Sequence, residues 1–403
     1  MNDKLIYWVW LNLRLKPGDC TLSKLLQVHP DPERIYSATR EEYLAILSEK
    51  CKETEALCDK DLTYAERVIA YCKKHEIGIL CYDDAAYPAK LREIKAPPAV
   101  LYWCGTVPDF EKLPMLSVVG TRKMTDYGKE VAYRIAGDLA LGGAAIVSGM
   151  ALGVDSVALA AGIAAQMPTV AVLGSGIDVI YPYEHARLYE RIKKTGWIVS
   201  EYPPGTPPEA KNFPRRNRII SALSDAVLVV EGSERSGALI TAEYALEQNK
   251  PLFTVPGRVD CINSGASLLL LHSGATAVGA ATDLFHHWRI LGGKAFRFFE
   301  TEHIDLKKMN AHLRQLGVSK QKVSYAELFP KRKEKVIPKL ESDAPSCRII
   351  PGYEDLVRSL PEGEFSPEDI KGVDPSRLNS GLTMLMLGNL VTPLPGGKFR
   401  RNY

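Results

Sequence analysis

Five short apolar runs, each ending on glycine, constrain this chain more than any other feature. They are MLSVVG (Met115–Gly120), AAIVSG (Ala144–Gly149), TVAVLG (Thr169–Gly174), AVLVVEG (Ala226–Gly232) and LFTVPG (Leu252–Gly257). Each is rich in β-branched residues and apolar on both faces, the pattern of a strand buried in a parallel sheet. Helical patterns fall between and after them, at Tyr127–Leu141, Val154–Ala165, Glu184–Lys194, Arg218–Leu223 and Gly237–Gln248, with a further strand at Trp197–Glu201. This alternation predicts an α/β fold with a Rossmann-like, doubly wound parallel sheet. Several glycines then gather at the carboxyl edge of one sheet, where open α/β folds bind ligands. Glycine there lets backbone N–H groups approach a phosphate.

The 403 residues allow two or three domains. Residues 1–80 read as a helical domain: Leu22, Leu25 and Leu26, then Tyr43, Leu44, Ile46 and Leu47, recur at helical spacing, and Asp31-Pro32-Glu33 is a helix start. Residues 81–290 carry the strand–helix alternation. A linker is expected over 291–345, with the charged run Lys331–Lys335 followed by Pro338 and Pro345. Residues 346–403 read as helices at Tyr353–Leu360, Ser366–Ile370 and Asp374–Leu387, then two strands joined at Gly396-Gly397. Three helices and a terminal hairpin outline a winged helix.

A net charge of +3 means that any affinity for nucleic acid comes from local clustering. Asp3, Lys4, Asn12 and Arg14 interrupt the apolar Met1–Leu15, so it does not read as a signal peptide. No run approaches a membrane span of about 18 apolar residues. The eight cysteines are scattered without a C-x-x-C pair, which points to reduced thiols and a cytoplasmic protein. Neither a dinucleotide fingerprint nor a Walker lysine motif is present, and no cofactor is expected. No catalytic motif occurs and the histidines lack metal-ligand spacing, so the expectation is a binding protein with no catalytic or metal site.

The candidate binding residues lie on the glycine edge. Gly120-Thr121-Arg122 offers amides, a hydroxyl and a guanidinium to one anion. Ser148-Gly149 and Gly174-Ser175-Gly176 repeat the arrangement on the next strands. Lys211 through Arg218 holds four cations (Lys211, Arg215, Arg216, Arg218), one aromatic (Phe213), Asn217 and no acid, after the prolines 203, 204, 207 and 208. Cations attract phosphates, and Phe213 offers either a stacking surface for an unpaired base or a core side chain. Arg216 or Arg218 can instead pair with a carboxylate such as Glu231 or Asp225. Ser236-Gly237 opens a helix; Ser236 is an N-cap, and the helix start also suits an anion. Asp155 reads as a structural cap.

These motifs resemble the DNA-processing protein A family, also called DprA or Smf. They are Val119-Gly120-Thr121-Arg122, Ser148-Gly149-Met150-Ala151 with Gly153-Val154-Asp155, Leu173 through Asp178, Tyr181-Pro182, Ser200-Glu201, Phe213 through Ile220, Ser236-Gly237 with Thr241-Ala242, and Val255-Pro256-Gly257. The resemblance implies an N-terminal unit of sterile-alpha-motif-like or helix-hairpin-helix-like form and a C-terminal winged helix. It implies binding of single-stranded DNA, dimerisation through the Rossmann-like domain and loading of RecA recombinase in natural transformation. Its ligand-contacting positions map onto Gly120, Thr121, Arg122 and Phe213 through Arg218. The chain departs from the family at Leu152, Leu159 and Ser267, where members often carry Arg, His and Asn. The alternative reading is an enzyme, a nucleotide phosphoribohydrolase of the lysine-decarboxylase-like group. That group carries a P-G-G-x-G-T-x-x-E motif, which Glu231 through Gly237 does not match.

Overall fold

The computed structural model describes residues 4–48, 51–284 and 304–318, and beyond these 356–357, 359–370, 378, 382, 385, 391–394 and 398–401. The chain forms two compact units, Met1–Lys331 and Arg332–Tyr403.

The first unit starts with six helices: α1 (Leu5–Arg14), α2 (Thr21–Val28), α3 (Pro32–Ser37), α4 (Arg40–Ile46), α5 (Lys52–Cys58) and α6 (Thr63–Lys74). Local chemistry sets their ends. Asp31 accepts from the Glu33 amide ahead of Pro32, and Thr39 with Glu42 closes a capping box. Trp8, Val9, Trp10 and Leu11 of α1 are buried, and they belong to the same apolar core as one face of the sheet.

That sheet has nine strands: β1 (Gly78–Cys81), β2 (Val100–Gly105), β3 (Met115–Val119), β4 (Ala145–Ser148), β5 (Thr169–Val172), β6 (Trp197–Ser200), β7 (Ala226–Val229), β8 (Leu252–Thr254) and β9 (Thr276–Ala277). Helices α7 (Ala89–Arg92), α8 (Asp126–Leu141), α9 (Val154–Ala164), α10 (Ala186–Thr195), α11 (Asn212–Leu223), α12 (Gly237–Glu247) and α13 (Gly265–His272) connect them. The spatial order is β1-β2-β6-β5-β4-β3-β7-β8-β9. From β6 to β9 all neighbours are parallel, whereas β1–β2 and β2–β6 are antiparallel. The expected parallel sheet is thus present from β6 to β9, and two antiparallel pairings extend it at one edge, where β2 runs against the other strands. Gly78–Cys81 and Val100–Gly105 are not among the five runs singled out, although Val100–Gly105 also ends on glycine.

Side chains alternate along the strands, and both faces are covered. Leu116, Val118, Ile146 and Leu228 join the core formed with α8, α9, α10 and the N-terminal helices. Met115, Val119, Val147 and Val229 join the opposite core with α11 and α12. Leu159 on α9 is fully buried in the first of these cores.

Within 291–345, read as a linker, residues Leu306–Gln315 form a helix capped by Asp305. Its Met309 and Leu313 are buried in the first core, and His312 Nε2 lies 3.2 Å from the Ala160 carbonyl. The spacing of four residues puts both apolar side chains on one face.

In the second unit, strands β11 (Val391–Leu394) and β12 (Lys398–Arg401) form an antiparallel hairpin, and β10 (Glu364–Phe365) pairs with β12. The helices expected at Tyr353–Leu360 and Asp374–Leu387 fall mostly outside the described residues. Among the described residues no helix is long and apolar enough to cross a membrane.

Candidate nucleic-acid interface

Strand order reverses once in the parallel part of the sheet. From β3 the chain runs outward through β4, β5 and β6, then returns to place β7 on the other side of β3. At such a switch point the loops leaving two neighbouring strands part, and a crevice opens between them. A cavity of about 310 Å³ lies there, lined by Gly120, Thr121 and Arg122 after β3 and by Ser233, Ser236 and Gly237 after β7.

Helix α11 completes the cavity with Phe213, Pro214, Arg216, Asn217 and Ile220. The helix starts at Asn212, six residues before the expected Arg218. Pro214 is tolerated because it sits in the first turn, where the missing N–H has no helical acceptor. The basic segment is thus two helical turns, not a loop, and a period of 3.6 residues sorts its side chains. Phe213, Arg216, Asn217 and Ile220 point to the cavity, following i, i+3, i+4 and i+7. Arg215 lies against Gly18, 3.4 Å from the point where a Cβ on that glycine would sit. Arg218 is buried and paired with Glu201. Lys211 precedes the helix, is exposed and pairs with Glu209 at 2.6 Å.

The glycine loops are mostly filled by the protein itself. Amides expected to face an anion donate internally: Thr121 to the Glu231 carbonyl at 2.7 Å, Gly176 to Thr206 at 2.9 Å, and Gly149 to Asp155 Oδ2 at 3.1 Å. A Cβ on Gly149 would meet Arg216 and Asp155, and one on Gly174 would lie 3.0 Å from the Phe213 ring. Buried Ser148 donates to the Val118 carbonyl and Ser175 to the Val179 carbonyl. The open part of the rim is the switch point; the loop after β4 reaches its cavity through Ala151 and Asp155, and the loop after β5 lies against Phe213.

Arg122 is exposed, and its guanidinium lies over Phe213, 5.3 Å from the ring centroid. Among the described residues it has no carboxylate within ion-pair distance. Ser236 caps α12 by accepting from the Ala238 amide at 3.3 Å, and exposed Gly237 begins the helix. The positive end of the helix dipole therefore adds to the Arg122 charge. Beneath them Arg216 is only 2% exposed; Nη1 donates to the carbonyls of Gly149 and Val172. Burial pulls its guanidinium down to about 10, opposed by Asp155, so it stays charged at neutral pH. Burial pushes the Asp155 carboxyl up, opposed by Arg216 and by the amides of Gly149 and Ala151. Asp155 is thus the acceptor that shapes the second glycine loop.

Glu231 and Asp225 pair with neither arginine. Glu231 accepts from the Thr125 amide at 2.9 Å and the Thr125 hydroxyl at 2.5 Å, and burial pushes its carboxyl up. Asp225 accepts from the Met115 amide at 2.8 Å and pairs with Lys90. Asn217 donates to the Gly237 carbonyl at 3.4 Å, tying α11 to α12.

A model of the DNA recombination-mediator protein A family matches residues 78–289, which span this sheet and its switch point. The chain belongs to that family. It is 45% identical to Protein Smf of Synechocystis over 199 residues, covering 49% of this chain and 50% of that protein. It is 40% identical to the DNA processing protein DprA of Bacillus subtilis over 219 residues, covering 54% of this chain and 74% of that one. The chain thus spans half the length of the first relative. The X-ray structure of DNA processing protein A from Streptococcus pneumoniae superposes with a TM-score of 0.60 at 28% identity, over 72% of this chain and 99% of that one.

Within this family fold, two groups near the rim were not among the sequence candidates. Tyr181 lies beside Phe213, with ring centroids 5.4 Å apart. Thr125 locks the loop after β3 through Glu231. A carboxylate 106 residues away in sequence leaves no local pattern, so only folding reveals that pair.

Proposed function

We propose that this chain binds single-stranded DNA at the switch point without transforming it chemically. The observation that carries the reading is Arg122: an exposed guanidinium without a carboxylate partner among the described residues, held on an aromatic ring at the mouth of the cavity. A helix start on the facing wall supports the same anion. Gly120, Thr121, Asn217, Ser236 and Gly237 shape the contact, and Lys211 lies at its margin. Gly149, Gly174, Ser175, Gly176, Ser148, Arg215, Arg216 and Arg218 act by holding the rim in place.

Family membership supports a role in DNA processing, and relatives carry the name DNA processing protein DprA. The wider reading is a homodimer that protects incoming strands and loads RecA recombinase in natural transformation, in the cytoplasm. The second unit is read as a winged helix on its three-stranded sheet. Its Arg400 pairs with Glu364, Arg401 donates to the Leu360 carbonyl and Lys398 is exposed.

The test is titration of fluorescent single- and double-stranded oligonucleotides at two salt concentrations. The reading expects tighter binding of the single strand, weakening steeply with salt. Unchanged affinity in Arg122→Ala, Lys211→Ala and Phe213→Ala would refute the site. Release of free base from nucleoside monophosphates would favour the phosphoribohydrolase reading instead. RecA filament growth on protein-coated single strands, with and without this chain, tests the loading step.

A further inference from the structure

The base-stacking role expected of Phe213 meets an obstacle in the structure. Its half-buried ring is enclosed by groups of this chain. The Gly174 backbone lies on one side, where a Cβ would come within 3.0–3.3 Å of three ring atoms. The guanidiniums of Arg122 and Arg216 lie 5.3 and 5.8 Å from its centroid. The Tyr181 ring stands 5.4 Å away, inclined by 51°. A ring so surrounded can hold Arg122 in position, but a base could reach it only by displacing one of these neighbours.

Tyr181 is in the opposite situation. The residue is 41% exposed. Among the described residues its hydroxyl has no hydrogen-bond partner, and its ring contacts the Phe213 ring. Asp178, three residues earlier, is engaged by the Tyr71 hydroxyl at 2.9 Å and the Gly205 amide at 2.7 Å. Tyr183, at the start of the next turn, is 82% exposed. Tyr181 and the Arg122 guanidinium thus both contact the Phe213 ring. A cation for the backbone and a flat apolar face for the base are what sequence-tolerant single-strand binders combine.

We propose that Tyr181 is the stacking platform for the nucleobase adjoining the phosphate held at Arg122, and that Phe213 is the pillar joining the two. This deepens the single-strand reading above and rests on it. Phe213 then acts through Arg122 and belongs to the electrostatic part of binding, whereas Tyr181 supplies a contact that salt does not screen.

The experiment uses the full chain and a thymidine oligonucleotide carrying one 2-aminopurine, moved position by position. With wild type, the fluorescence changes most at one position. Tyr181→Ala abolishes that change and weakens binding about 5- to 150-fold, the range for one stacked base. The loss is the same at every salt concentration, so the salt slope is unaltered. Tyr181→Phe restores the signal that Tyr181→Ala removes. An abasic site at the responsive position weakens wild type by a similar factor, and does not weaken Tyr181→Ala further; this arm probes the contact without altering the fold. Phe213→Ala, by contrast, flattens the salt slope. Wild-type affinity and fluorescence in Tyr181→Ala, while wild type binds single strands, would overturn this proposal alone. Failure of wild type to bind any single strand would overturn the parent reading and this one together.

Discussion

Arg218 closes a two-pronged fork on Glu201: Nη1 and Nη2 each lie 2.6 Å from a carboxylate oxygen, and both side chains are at most 3% exposed. Nε donates to the Ala96 carbonyl at 2.7 Å, so the guanidinium ties α11 to the end of β6 and to the segment before β2. A charge this deep is tolerated because its partner and its hydrogen bonds are in place.

Removing one member of this pair leaves the other charged and unpaired. Arg218→Ala or Glu201→Ala is expected to destabilise the first unit by about 3–5 kcal/mol, read from urea unfolding. Replacing both with apolar residues of similar volume should recover much of that loss. A double variant as unstable as the sum of the singles would contradict the pairing.

Arg122 carries the opposite expectation. Exposed and unpaired by carboxylate, it should contribute to ligand binding and little to stability. Arg122→Ala should shift stability by no more than about 0.5 kcal/mol. It should also reduce the slope of log K against log salt for single strands by about 0.7, the share of one phosphate contact. An unaltered slope in equilibrium titrations would count against a phosphate at this site.

Gly149 tests the idea that the second glycine loop makes room for protein rather than for ligand. The added methyl of Gly149→Ala would press on Arg216 and Asp155. The expected loss is about 1–3 kcal/mol, the range for overpacking, with weaker DNA binding as Arg216 shifts under Phe213. Wild-type thermal stability together with weakened DNA binding would instead make the loop a direct ligand contact.

His185 gives a pH dependence with a definite sign. It is buried; Nδ1 donates to the Met150 carbonyl at 3.0 Å, and Nε2 has no partner among the described residues. Burial pulls the imidazole below its ordinary 6.5, with the Met150 carbonyl opposing. The unfolded chain therefore takes up a proton at a pH where the folded chain does not. There is no penalty above 6.5. As pH falls from 6.5 towards the folded value, stability drops by up to about 1.4 kcal/mol per pH unit. Asp155 and Glu231, pushed up by burial, act with the opposite sign over the lower range, so the comparison must be with a variant. His185→Asn should show a flatter decline below pH 6.5 in urea titrations across pH. Parallel curves for the two proteins would remove His185 as the cause.

The strands were legible because each glycine-ended run is largely apolar on both faces, a local property that burial on two faces demands. Residues 115–119, 145–148, 169–172, 226–229 and 252–254 all became strands. The antiparallel pair β1–β2 was not: Val100–Gly105 also ends on glycine, but no tight turn joins it to Gly78–Cys81 to mark a hairpin. Within Lys211 through Arg218, composition revealed a basic segment but not its phase. The helix was expected only from Arg218, yet it begins at Asn212 and accepts Pro214 in its first turn.

The sequence by itself determined that backbone turns and cations would collect on one edge of a sheet, because hydrophobic period and glycine spacing act over a few residues. Tertiary structure alone decided which of them meet solvent. Arg122, Arg216 and Arg218 are the same residue type, yet one lies exposed on an aromatic ring, one is buried beneath it, and one is spent on Glu201. Those fates depend on partners from distant strands, and the free energy of a charge depends on what the folded chain brings beside it.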